Sequence, residues 1–305
     1  MRLVTFRDTH DATRTGAIAG ERVVDLTQAI ATLPLPPSIA ERGLAAPISG
    51  MLRLLYAGAD GLAAIRRYLD DDIAAGGLDR LPFWREVKLM APIPRPGKIL
   101  AIGRNYADHA KETGVEPFER PRVIAKLSSS VVGPGAVVRR PAAVTKLDLE
   151  AELAVVIGSV ASNVPRAQAL DMVAGYTVLN DLSAREFQFD VSPPQTTFAK
   201  SMDGFCPMGP WLVTADEIAD PQALEISSYL NDAPMQQGNT ADMLFPVNCI
   251  IEYLSQFMTL EPGDVIATGT PAGSGAFRDP AIWLKPGDRV RIEISQIGIL
   301  EHGIG

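Results

Sequence analysis

Runs and alternations of apolar residues along the chain predict more strands than helices. Residues 149–158 and 173–181 are two nearly continuous apolar stretches, which is typical of buried strands. Arg289–Ile294 alternates polar and apolar positions, as a half-exposed strand does. Pro246–Met258 predicts a helix that begins with a proline and has one apolar face. The residues of that face are Val247, Ile250, Ile251, Leu254 and Phe257.

The first ninety residues predict a small separate unit. Three short strands are expected at residues 2–6, 15–18 and 22–26, followed by a helix with an apolar face. That face carries Leu62, Ile65, Leu69 and Ile73. Ala91–Gly97 then holds three prolines in seven residues, which neither a helix nor a central strand accommodates. We therefore predict a small N-terminal α/β domain over residues 1–90 and a larger domain over residues 91–305.

The larger part of the chain predicts an α+β domain with a mixed sheet. Its strand signals are not separated by the regular helical crossovers that a doubly wound parallel sheet needs. Leu260–Asp264 and Leu284–Asp288 share the pattern Leu-x-Pro-Gly-Asp, and each marks a turn that leads into a strand. Because many functions occur on one fold, the function has to be inferred from particular side chains.

Length, composition and charge indicate a globular protein that binds a small molecule. The chain has 305 residues, 47% hydrophobic and 21% charged, and no apolar run approaches the ~18 residues of a membrane-spanning helix. The net charge of −8 argues against a general nucleic-acid binder, which needs a basic surface. The first residues lack the apolar region of an export signal, and two cysteines are too few for a disulfide framework. We expect a cytoplasmic protein in which Cys206 and Cys249 are small apolar core residues.

Two glutamates one residue apart indicate a site for a divalent cation. On a strand, the side chains of Glu150 and Glu152 leave the same face, in a run whose other residues favour burial. Carboxylates at that distance resist joint ionisation, so one is protonated, or basic neighbours compensate, or a metal binds both. Asp181, at the end of the second apolar run, could join them. Oxygen ligands suit Mg²⁺, Mn²⁺ or Ca²⁺ better than Zn²⁺, and a solvated strand face is the simpler alternative.

A histidine and a glutamate form a candidate general base. On a helix, His109 and Glu112 are three residues apart and can touch, which would orient the imidazole and make it more basic. An ordinary pair on the protein surface is the alternative. Residues 113–122 are polar and contain a glycine and two prolines. We predict that residues 106–121 are mobile without ligand and are ordered by a bound oxo acid.

Other polar residues could belong to the same site. Lys200 would need an anion if it were buried, and the acidic residues could supply one. Arg185 and Gln188 follow Asp181 by four and seven residues, a helical spacing that would turn all three toward one site. The loop Thr268–Gly275 follows a strand and could offer backbone amides to a carboxylate or phosphate. The sequence has neither a P-loop nor the Gly-x-Ser-x-Gly elbow of a serine hydrolase.

Taken together, these residues resemble the fumarylacetoacetate hydrolase family in its bacterial two-domain form. The resemblance extends over residues 91–305, and several motifs in the same order are far more specific than any one of them. The N-terminal unit, with Val23–Leu26, looks like the variable domain that many members carry. The matching segments are Gly103–Tyr106 with His109 and Glu112, Leu149–Glu152, Asn180–Arg185, Ala199–Ser201, Cys206–Pro210 and Gly263–Pro271.

The resemblance implies the family's mixed β-roll as the catalytic domain, and a homodimer. It also implies that Glu150, Glu152 and Asp181 hold a Mg²⁺ or Mn²⁺ ion. Members of the family act on small 2-oxo acids, and the 1-carboxylate and 2-oxo oxygens of the substrate chelate the metal. The metal then acts as a Lewis acid.

The expected reaction is hydrolysis of a carbon–carbon bond in an acylpyruvate-like 2,4-dioxo acid, with release of pyruvate or a related 2-oxo acid, in aromatic catabolism. By the resemblance, His109, oriented by Glu112, deprotonates water for attack on the distal carbonyl, and Lys200 offsets negative charge. The residues that would orient the substrate are Arg185, Gln188 and Thr270.

The resemblance leaves three alternative functions open. Two are reactions that the same chemistry serves: an oxaloacetate-type decarboxylase and a 2-hydroxyhepta-2,4-diene-1,7-dioate-type isomerase. The third, from a different class, is a non-enzymatic module that binds a metal or an anion. The pair of His109 and Glu112 favours hydrolysis over the other two reactions, because an oriented imidazole can activate water. Metal-dependent turnover of any 2-oxo acid would exclude the binding module.

Overall fold

The computed structural model describes residues 1–37, 48, 50–114 and 116–305. The strands are β1 Arg2–Arg7, β2 Thr13–Ala19, β3 Arg22–Asp25, β4 Lys88–Met90, β5 Ile99–Gly103, β6 Arg122–Lys126, β7 Val131–Val132, β8 Val137–Val138, β9 Leu147–Asp148, β10 Ala151–Ile157, β11 Val173–Asn180, β12 Ser183–Ala184, β13 Cys206–Thr214, β14 Glu225–Leu230, β15 Ala233–Asn239, β16 Val265–Ala267, β17 Arg289–Ile294 and β18 Gly298–Ile304. The α-helices are α1 Thr27–Ala31, α2 Gly50–Tyr56, α3 Gly58–Ala74, α4 Ala107–Glu112, α5 Arg185–Phe189, α6 Thr196–Ala199 and α7 Val247–Ser255. Within these ranges, no helix combines the length and the apolar character needed to cross a membrane.

Most strands belong to two sheets, one of eleven strands and one of five. The larger sheet has the order β3-β2-β1-β13-β11-β10-β16-β5-β6, with β4 beside β1 and β7 beside β13. The smaller sheet has the order β15-β14-β17-β18-β8, and β12 pairs with β9 alone. Three pairs are parallel, namely β16 with β5, β13 with β7 and β18 with β8. The prediction of an α+β fold with mixed sheets is therefore confirmed.

The N-terminal strands complete the larger sheet. Arg2 pairs with Val213 and Leu3 pairs with Leu212, so β1 lies beside β13. The three predicted N-terminal strands occur as β1, β2 and β3, and the predicted helix occurs as α3. The division of the chain between residues 90 and 91 stays a prediction, and the sheet is continuous across it.

Strands β10 and β11 lie in the middle of the larger sheet, and every residue in them is buried. Leu153, Val155 and Ile157 pack into one core cluster, whereas Ala154 and Val156 pack into the other. Both faces of the sheet are thus covered, which is why these strands read as continuous apolar runs. A strand buried on both faces has little freedom, so it can hold polar groups at its ends in fixed positions.

The helix predicted over Pro246–Met258 is α7, and it ends three residues earlier, at Ser255. Its buried apolar residues are Val247, Ile250, Ile251 and Leu254. Phe257 was predicted on the same face, but it is 67% exposed. This part of the prediction is wrong because Phe257 lies beyond the last helical turn, where the 3.6-residue period no longer applies.

The two cysteines are unpaired and have different environments. Cys206 in β13 is fully buried, in agreement with the predicted core position. Cys249 in α7 is only half-buried, and Nη2 of Arg166 lies 3.0 Å from its sulfur. The prediction of a core position is wrong for Cys249, because this side of α7 faces the exposed Arg166, at the start of the 3-10 helix Arg166–Met172.

Candidate active site

A cavity of about 230 Å³ lies at the end of the larger sheet where β10 begins and β11 ends. Eight of the nine side chains predicted to act in a site line it: His109, Glu150, Glu152, Asp181, Arg185, Gln188, Lys200 and Thr270. Glu112, the ninth, is not part of the wall and contacts His109. The rest of the wall includes the apolar residues Ile102, Ile124, Phe189 and Phe277 and two further arginines, Arg104 and Arg122.

Three buried carboxylates meet at the bottom of this cavity. Each of Glu150, Glu152 and Asp181 offers an oxygen, and the three oxygens lie within 4.8 Å of one another. Strand β10 begins at Ala151, two residues later than the apolar run predicts, but the N–H of Asp181 donates to the carbonyl of Glu150 at 2.9 Å. The antiparallel register therefore sets Asp181 opposite Glu150, and the strand period of two places Glu152 on the same side as Glu150.

The ammonium group of Lys200 lies among these carboxylates. Its Nζ is 2.6 Å from Oε2 of Glu150, 2.5 Å from Oδ2 of Asp181 and 2.8 Å from Oγ of Ser183. Burial lowers the pKa of Lys200, but the attraction of Asp181 and Glu150 outweighs it and the pKa is raised overall. Lys200 thus remains positively charged and compensates two of the three carboxylates.

A second buried lysine, Lys126, was not among the predicted site residues. Its Nζ donates to Oδ1 of Asp181 at 2.6 Å and to the carbonyl of Phe205 at 3.0 Å, and it also contacts the carbonyl of Lys200. A local signal was available, since Lys126 follows the buried Ile124 by two residues in β6 and so shares its face. A lysine at a core position of a strand needs a buried anion.

Arg185 supports Glu150 from the other side, together with a residue that the sequence reasoning missed, Asp148. The guanidinium donates from Nε to Asp148 at 2.9 Å, from Nη2 to Glu150 at 2.7 Å and from Nη1 to Gln188 at 3.0 Å. The explanation by helical spacing from Asp181 is wrong, because α5 begins at Arg185. The contact arises instead because β12 pairs with β9, which sets Ser183 opposite Asp148.

The three carboxylates differ in how their charge is compensated. Burial raises the pKa of Glu150, but Lys200 and Arg185 more than offset this and hold the pKa below its usual value. Burial also raises the pKa of Glu152, and the neighbouring Asp181 and Glu150 raise it further. Among the described residues, Glu152 has no cationic partner and one hydrogen bond, from the N–H of Gly269 at 2.8 Å. This set of oxygen donors with one uncompensated charge fits a divalent cation.

His109 and Glu112 lie on α4 at the upper wall of the cavity. Nδ1 of His109 is 2.7 Å from Oε1 of Glu112, and the glutamate also accepts the N–H of Gly273 at 3.0 Å. The ring of Phe277 packs edge-on against the imidazole with 5.5 Å between centroids. Since an ionised Glu112 can only accept, neutral His109 carries its proton on Nδ1 and leaves Nε2 as the basic atom.

The segment predicted to be mobile, residues 106–121, has a packed beginning. Tyr106, His109 and Ala110 are buried. The side chain of Asn105, immediately before the segment, donates to the carbonyls of Phe245 at 3.0 Å and Thr268 at 2.7 Å. Val115 lies outside the described residues. Mobility of this segment therefore stays a prediction.

The loop from Thr268 to Gly275 offers its backbone amides, as predicted, but the carboxylates that accept them belong to the protein. The N–H groups of Gly269, Gly273 and Gly275 donate to Glu152, Glu112 and Asp148, respectively. The hydroxyl of Thr270 donates to the carbonyl of Ala151 at 2.8 Å and accepts from Gln236 at 2.6 Å. This loop thus contacts both the carboxylates at the bottom of the cavity and the partner of His109. The single hydroxyl proton of Thr270 is already used in its bond to Ala151.

Behind the carboxylates, a histidine supports the start of β10. The side-chain oxygen of Asn180 accepts the N–H of Glu150 at 3.0 Å, so its amide nitrogen faces Nε2 of His302 at 2.8 Å. Nε2 accepts this hydrogen bond, which places the proton of His302 on Nδ1. Burial lowers the pKa of His302 to about 4. The sequence reasoning missed His302, because nothing local shows that β18 passes behind the site.

A scan against protein-family models matches residues 98–304 to the model described as fumarylacetoacetate hydrolase C-terminal. Among curated proteins, the chain is similar to the mitochondrial oxaloacetate tautomerase FAHD2A of Bos taurus. The two are 39% identical over 303 residues, which is 98% of this chain and 90% of the bovine protein.

Two solved structures extend the comparison along the whole chain. The first is the maleylpyruvate hydrolase of Sphingobium sp. SYK-6 in complex with manganese(II) and pyruvate, at 32% identity and a TM-score of 0.78, covering 100% of this chain and 98% of that one. The second is the 5-carboxymethyl-2-hydroxymuconate delta-isomerase of Mycobacterium smegmatis, at 31% identity and a TM-score of 0.72, with the same coverage. The similar proteins therefore include a tautomerase, a hydrolase and an isomerase.

Proposed function

The chain belongs to the fumarylacetoacetate hydrolase family, and we propose that within it the protein is a metal-dependent hydrolase of a carbon–carbon bond in an acylpyruvate-like 2,4-dioxo acid. The family resemblance predicted from the sequence is confirmed. Family members are enzymes that act on small molecules, with hydrolase, isomerase and tautomerase activities among them. One observation carries the choice of hydrolysis: an oriented imidazole lines the same cavity as the three carboxylates.

At the bottom of the cavity, Glu150, Glu152 and Asp181 would hold Mg²⁺ or Mn²⁺. The bound ion would supply Lewis-acid stabilisation to the 1-carboxylate and 2-oxo oxygens of the substrate. The manganese(II) and pyruvate in the maleylpyruvate hydrolase structure support this assignment. Lys200 and Lys126 keep the local negative charge low enough for an anionic substrate to approach.

On the upper wall, Nε2 of His109 would accept a proton from a water molecule. The resulting hydroxide adds to the distal carbonyl, C4, and Glu112 stabilises the imidazolium. The C3–C4 bond then breaks, its electron pair moves to C3, and C3 takes the proton back from His109. The products are one carboxylic acid and pyruvate, so one water molecule is consumed and all atoms balance.

We assign orientation of the substrate to Arg185, Gln188 and Thr270, and these residues differ in how many hydrogen-bonding groups they have free. Gln188 accepts from Arg185, and its amide N–H₂ has no partner among the described residues, so it can donate to the substrate. Arg185 retains few free N–H groups after its contacts with Asp148, Glu150 and Gln188. Thr270 has no free hydroxyl proton and would contribute as an acceptor or through its backbone.

Tautomerisation of oxaloacetate is the second candidate function, and the 39% identity to the bovine tautomerase favours it. This reaction needs no water, because a single base moves a proton between C3 and the 2-oxo oxygen. His109 could serve as that base in the same cavity. The isomerase alternative is supported by the M. smegmatis structure. Nothing specific favours the decarboxylase.

The experiment is a screen of the purified protein with Mg²⁺ or Mn²⁺. Acetylpyruvate, fumarylpyruvate and maleylpyruvate are assayed for pyruvate release, enol-oxaloacetate for ketonisation, and oxaloacetate for loss of carbon dioxide. We expect pyruvate release from at least one acylpyruvate, abolished by a chelator and restored by either ion. Ketonisation without pyruvate release would overturn hydrolysis and establish the tautomerase. Metal binding without any turnover would identify a binding module.

The cellular setting belongs to the same proposal. The free thiols of Cys206 and Cys249 are compatible with the reducing cytoplasm. The family resemblance implies a homodimer, which sedimentation equilibrium of the purified protein would test. A role in aromatic catabolism depends on which acylpyruvate the screen identifies.

A further inference from the structure

We propose that Arg104 and Arg122 form a second anion site at the mouth of the cavity, which selects 2-oxo acids with a distal carboxylate. The inference rests on the proposed function for the position of the substrate's 2-oxo acid end at the three carboxylates. It adds the substrate class, a 2-oxo dicarboxylate, and two specificity-determining residues.

The first observation is that both arginines line the cavity without a carboxylate partner. Among the described residues, no carboxylate lies within ion-pair distance of either guanidinium, and both approach the ring of Phe118, at 5.6 Å and 6.0 Å. Arg185, in the same cavity, shows the contrast, because it is paired with Asp148 and Glu150. Two neighbouring cations without anions are suited to receive one from outside.

The second observation is that the fold brings the two arginines together. Gly103 at the end of β5 pairs with Arg122 at the start of β6, and Arg104 is the next residue. A Cβ at position 103 would lie 3.7 Å from Cδ of Arg122, an ordinary contact distance, so the stem of this arginine lies close to Gly103. The two guanidinium groups therefore extend from adjacent strand ends into one region.

The third observation is the backbone of Arg104, which has a φ of +54°, in the left-handed region that residues other than glycine seldom adopt. The next residue, Asn105, fixes this conformation through its side-chain hydrogen bonds to Phe245 and Thr268. A strained conformation held by its surroundings is typical of binding sites. Here it orients an arginine toward the cavity.

The electrostatics also favour binding of an anion between the two arginines. Burial lowers the pKa of Arg104, and the like charges of Arg122 and Arg185 lower it further. A carboxylate between Arg104 and Arg122 would relieve this repulsion and accept hydrogen bonds from both. The apolar side chains of Ile102 and Ile124, also in the wall, would contact the carbon chain that joins the two ends of the substrate.

The test compares stable ligands that differ only at the distal end. With Mg²⁺ present, calorimetry measures the affinity for 2-oxoglutarate against 2-oxopentanoate and for 2-oxoadipate against 2-oxohexanoate. We expect the diacid of at least one pair to bind about ten-fold or more tightly than its methyl-ended match, because a charge-assisted arginine contact distinguishes the two ends. Equal affinity within both pairs would overturn the proposal.

Variants then assign the preference to the two arginines. Arg122→Gln and Arg104→Asn should each remove most of the preference for the diacid, and Arg122→Lys should keep part of this preference. Asparagine is chosen at position 104 because it tolerates a left-handed backbone. Arg120→Gln, in the same segment but outside the cavity wall, is the matched control and should keep the preference. An equal loss in Arg120→Gln would show a general charge effect instead of a site.

Two further measurements distinguish failure of the anion site from two other causes. One detects misfolding of a variant, and the other detects failure of the proposed hydrolase function. Oxalate with Mg²⁺ reports on the opposite end of the cavity, and its affinity should be unchanged in all variants that fold correctly. If fumarylpyruvate is not hydrolysed but the diacid preference depends on Arg104 and Arg122, the hydrolase is wrong and the anion site stands. If fumarylpyruvate is hydrolysed and the variants keep its advantage over acetylpyruvate in kcat/KM, the anion site is wrong.

Discussion

The two ends of the cavity are built in different ways. We call the inner end the part formed by Glu150, Glu152, Asp181, Lys126 and Lys200, and the mouth the part formed by Arg104, His109 and Arg122. The inner end lies at the ends of buried strands, and opposite charges meet within it at 2.5–2.6 Å. The mouth is carried by a short helix and by strand ends, and Arg122 is exposed to solvent.

This structural difference indicates which side chains of the cavity need fixed positions and which can differ between related proteins. Oxygen ligands of a cation need fixed positions, which buried strands in a closed hydrogen-bond ladder provide. Side chains on loops and short helices can change without disturbing the core. In the proposed function, the inner end therefore binds the 2-oxo acid group that all the candidate reactions share. The mouth would contact the reacting carbon and the distal group, which distinguish one reaction from another.

The largest effect is expected from Asp181→Asn at the inner end. The substitution keeps the shape of the side chain and removes one negative charge from the proposed ligand, which also pairs with Lys126 and Lys200. We expect the Mg²⁺ affinity to fall by more than the ~10–100-fold typical of losing an outer partner of a metal site, and turnover to fall with it. Calorimetry measures the affinity, with the exposed Asp190→Asn as the control. Unchanged Mg²⁺ affinity would show that the inner end is not the metal site.

The next largest effect is expected from His109→Ala at the mouth. Binding of oxalate and Mg²⁺ should persist, because His109 does not belong to the inner end, while kcat falls by about 10²–10⁴-fold, the usual range for a lost general base. Glu112→Gln should lose less, since the imidazole remains a base without its partner. Steady-state kinetics on the best substrate separates the two. Near-full turnover in the His109 variant would place water activation elsewhere and favour a decarboxylase or isomerase.

The same contrast explains how much of the site the sequence predicts. Glu150 and Glu152 are recognisable because a strand has a period of two, and His109 with Glu112 because a helix brings residues three apart together. Both patterns are local. Asp181 reaches Glu150 through the register of two strands, so the sequence indicates the residue but not the contact.

The contacts that were missed all join distant parts of the chain. Lys126 meets Asp181 across 55 positions, and His302 meets Asn180 across 122. Arg185 was assigned to the site by a helical spacing that does not exist, and it reaches Glu150 because two short strands pair. The fold class was predictable because strand patterns are local, whereas strand order is not. Strand order is what assembles the inner end.

A third prediction compares a buried ion pair with an exposed one of almost equal length. Lys126 and Asp181 are 2.6 Å apart and almost fully buried, and Lys146 and Asp190 are 2.7 Å apart with side chains 40% and 47% exposed. Without metal, Lys126→Met should lower the free energy of unfolding by about 3–5 kcal/mol, because Asp181 loses a buried partner. Lys146→Met should change it by about 1 kcal/mol or less. Urea unfolding measures both, and equal losses would mean that the inner end is open to water.

The smallest effect concerns the pH dependence of the inner end and depends on His302. This residue is neutral when folded, with its pKa lowered by burial to about 4, whereas an unfolded histidine has a pKa of 6.5. Below pH 6.5 the unfolded chain binds a proton that the folded chain does not bind until about pH 4. Stability is therefore lost as the pH falls through this window, by roughly 3 kcal/mol from this group.

The measurement is urea unfolding of the wild type and of His302→Gln between pH 4 and 7, with a chelator present. Carboxylates contribute equally to both proteins, so the difference between the two curves isolates the histidine. Glutamine can still accept from Asn180, which preserves the support of Glu150. The wild type should lose stability more steeply on acidification than the variant. Parallel curves would mean that His302 takes up its proton at the same pH in the folded and the unfolded protein, and that burial does not keep the imidazole neutral beside Asn180.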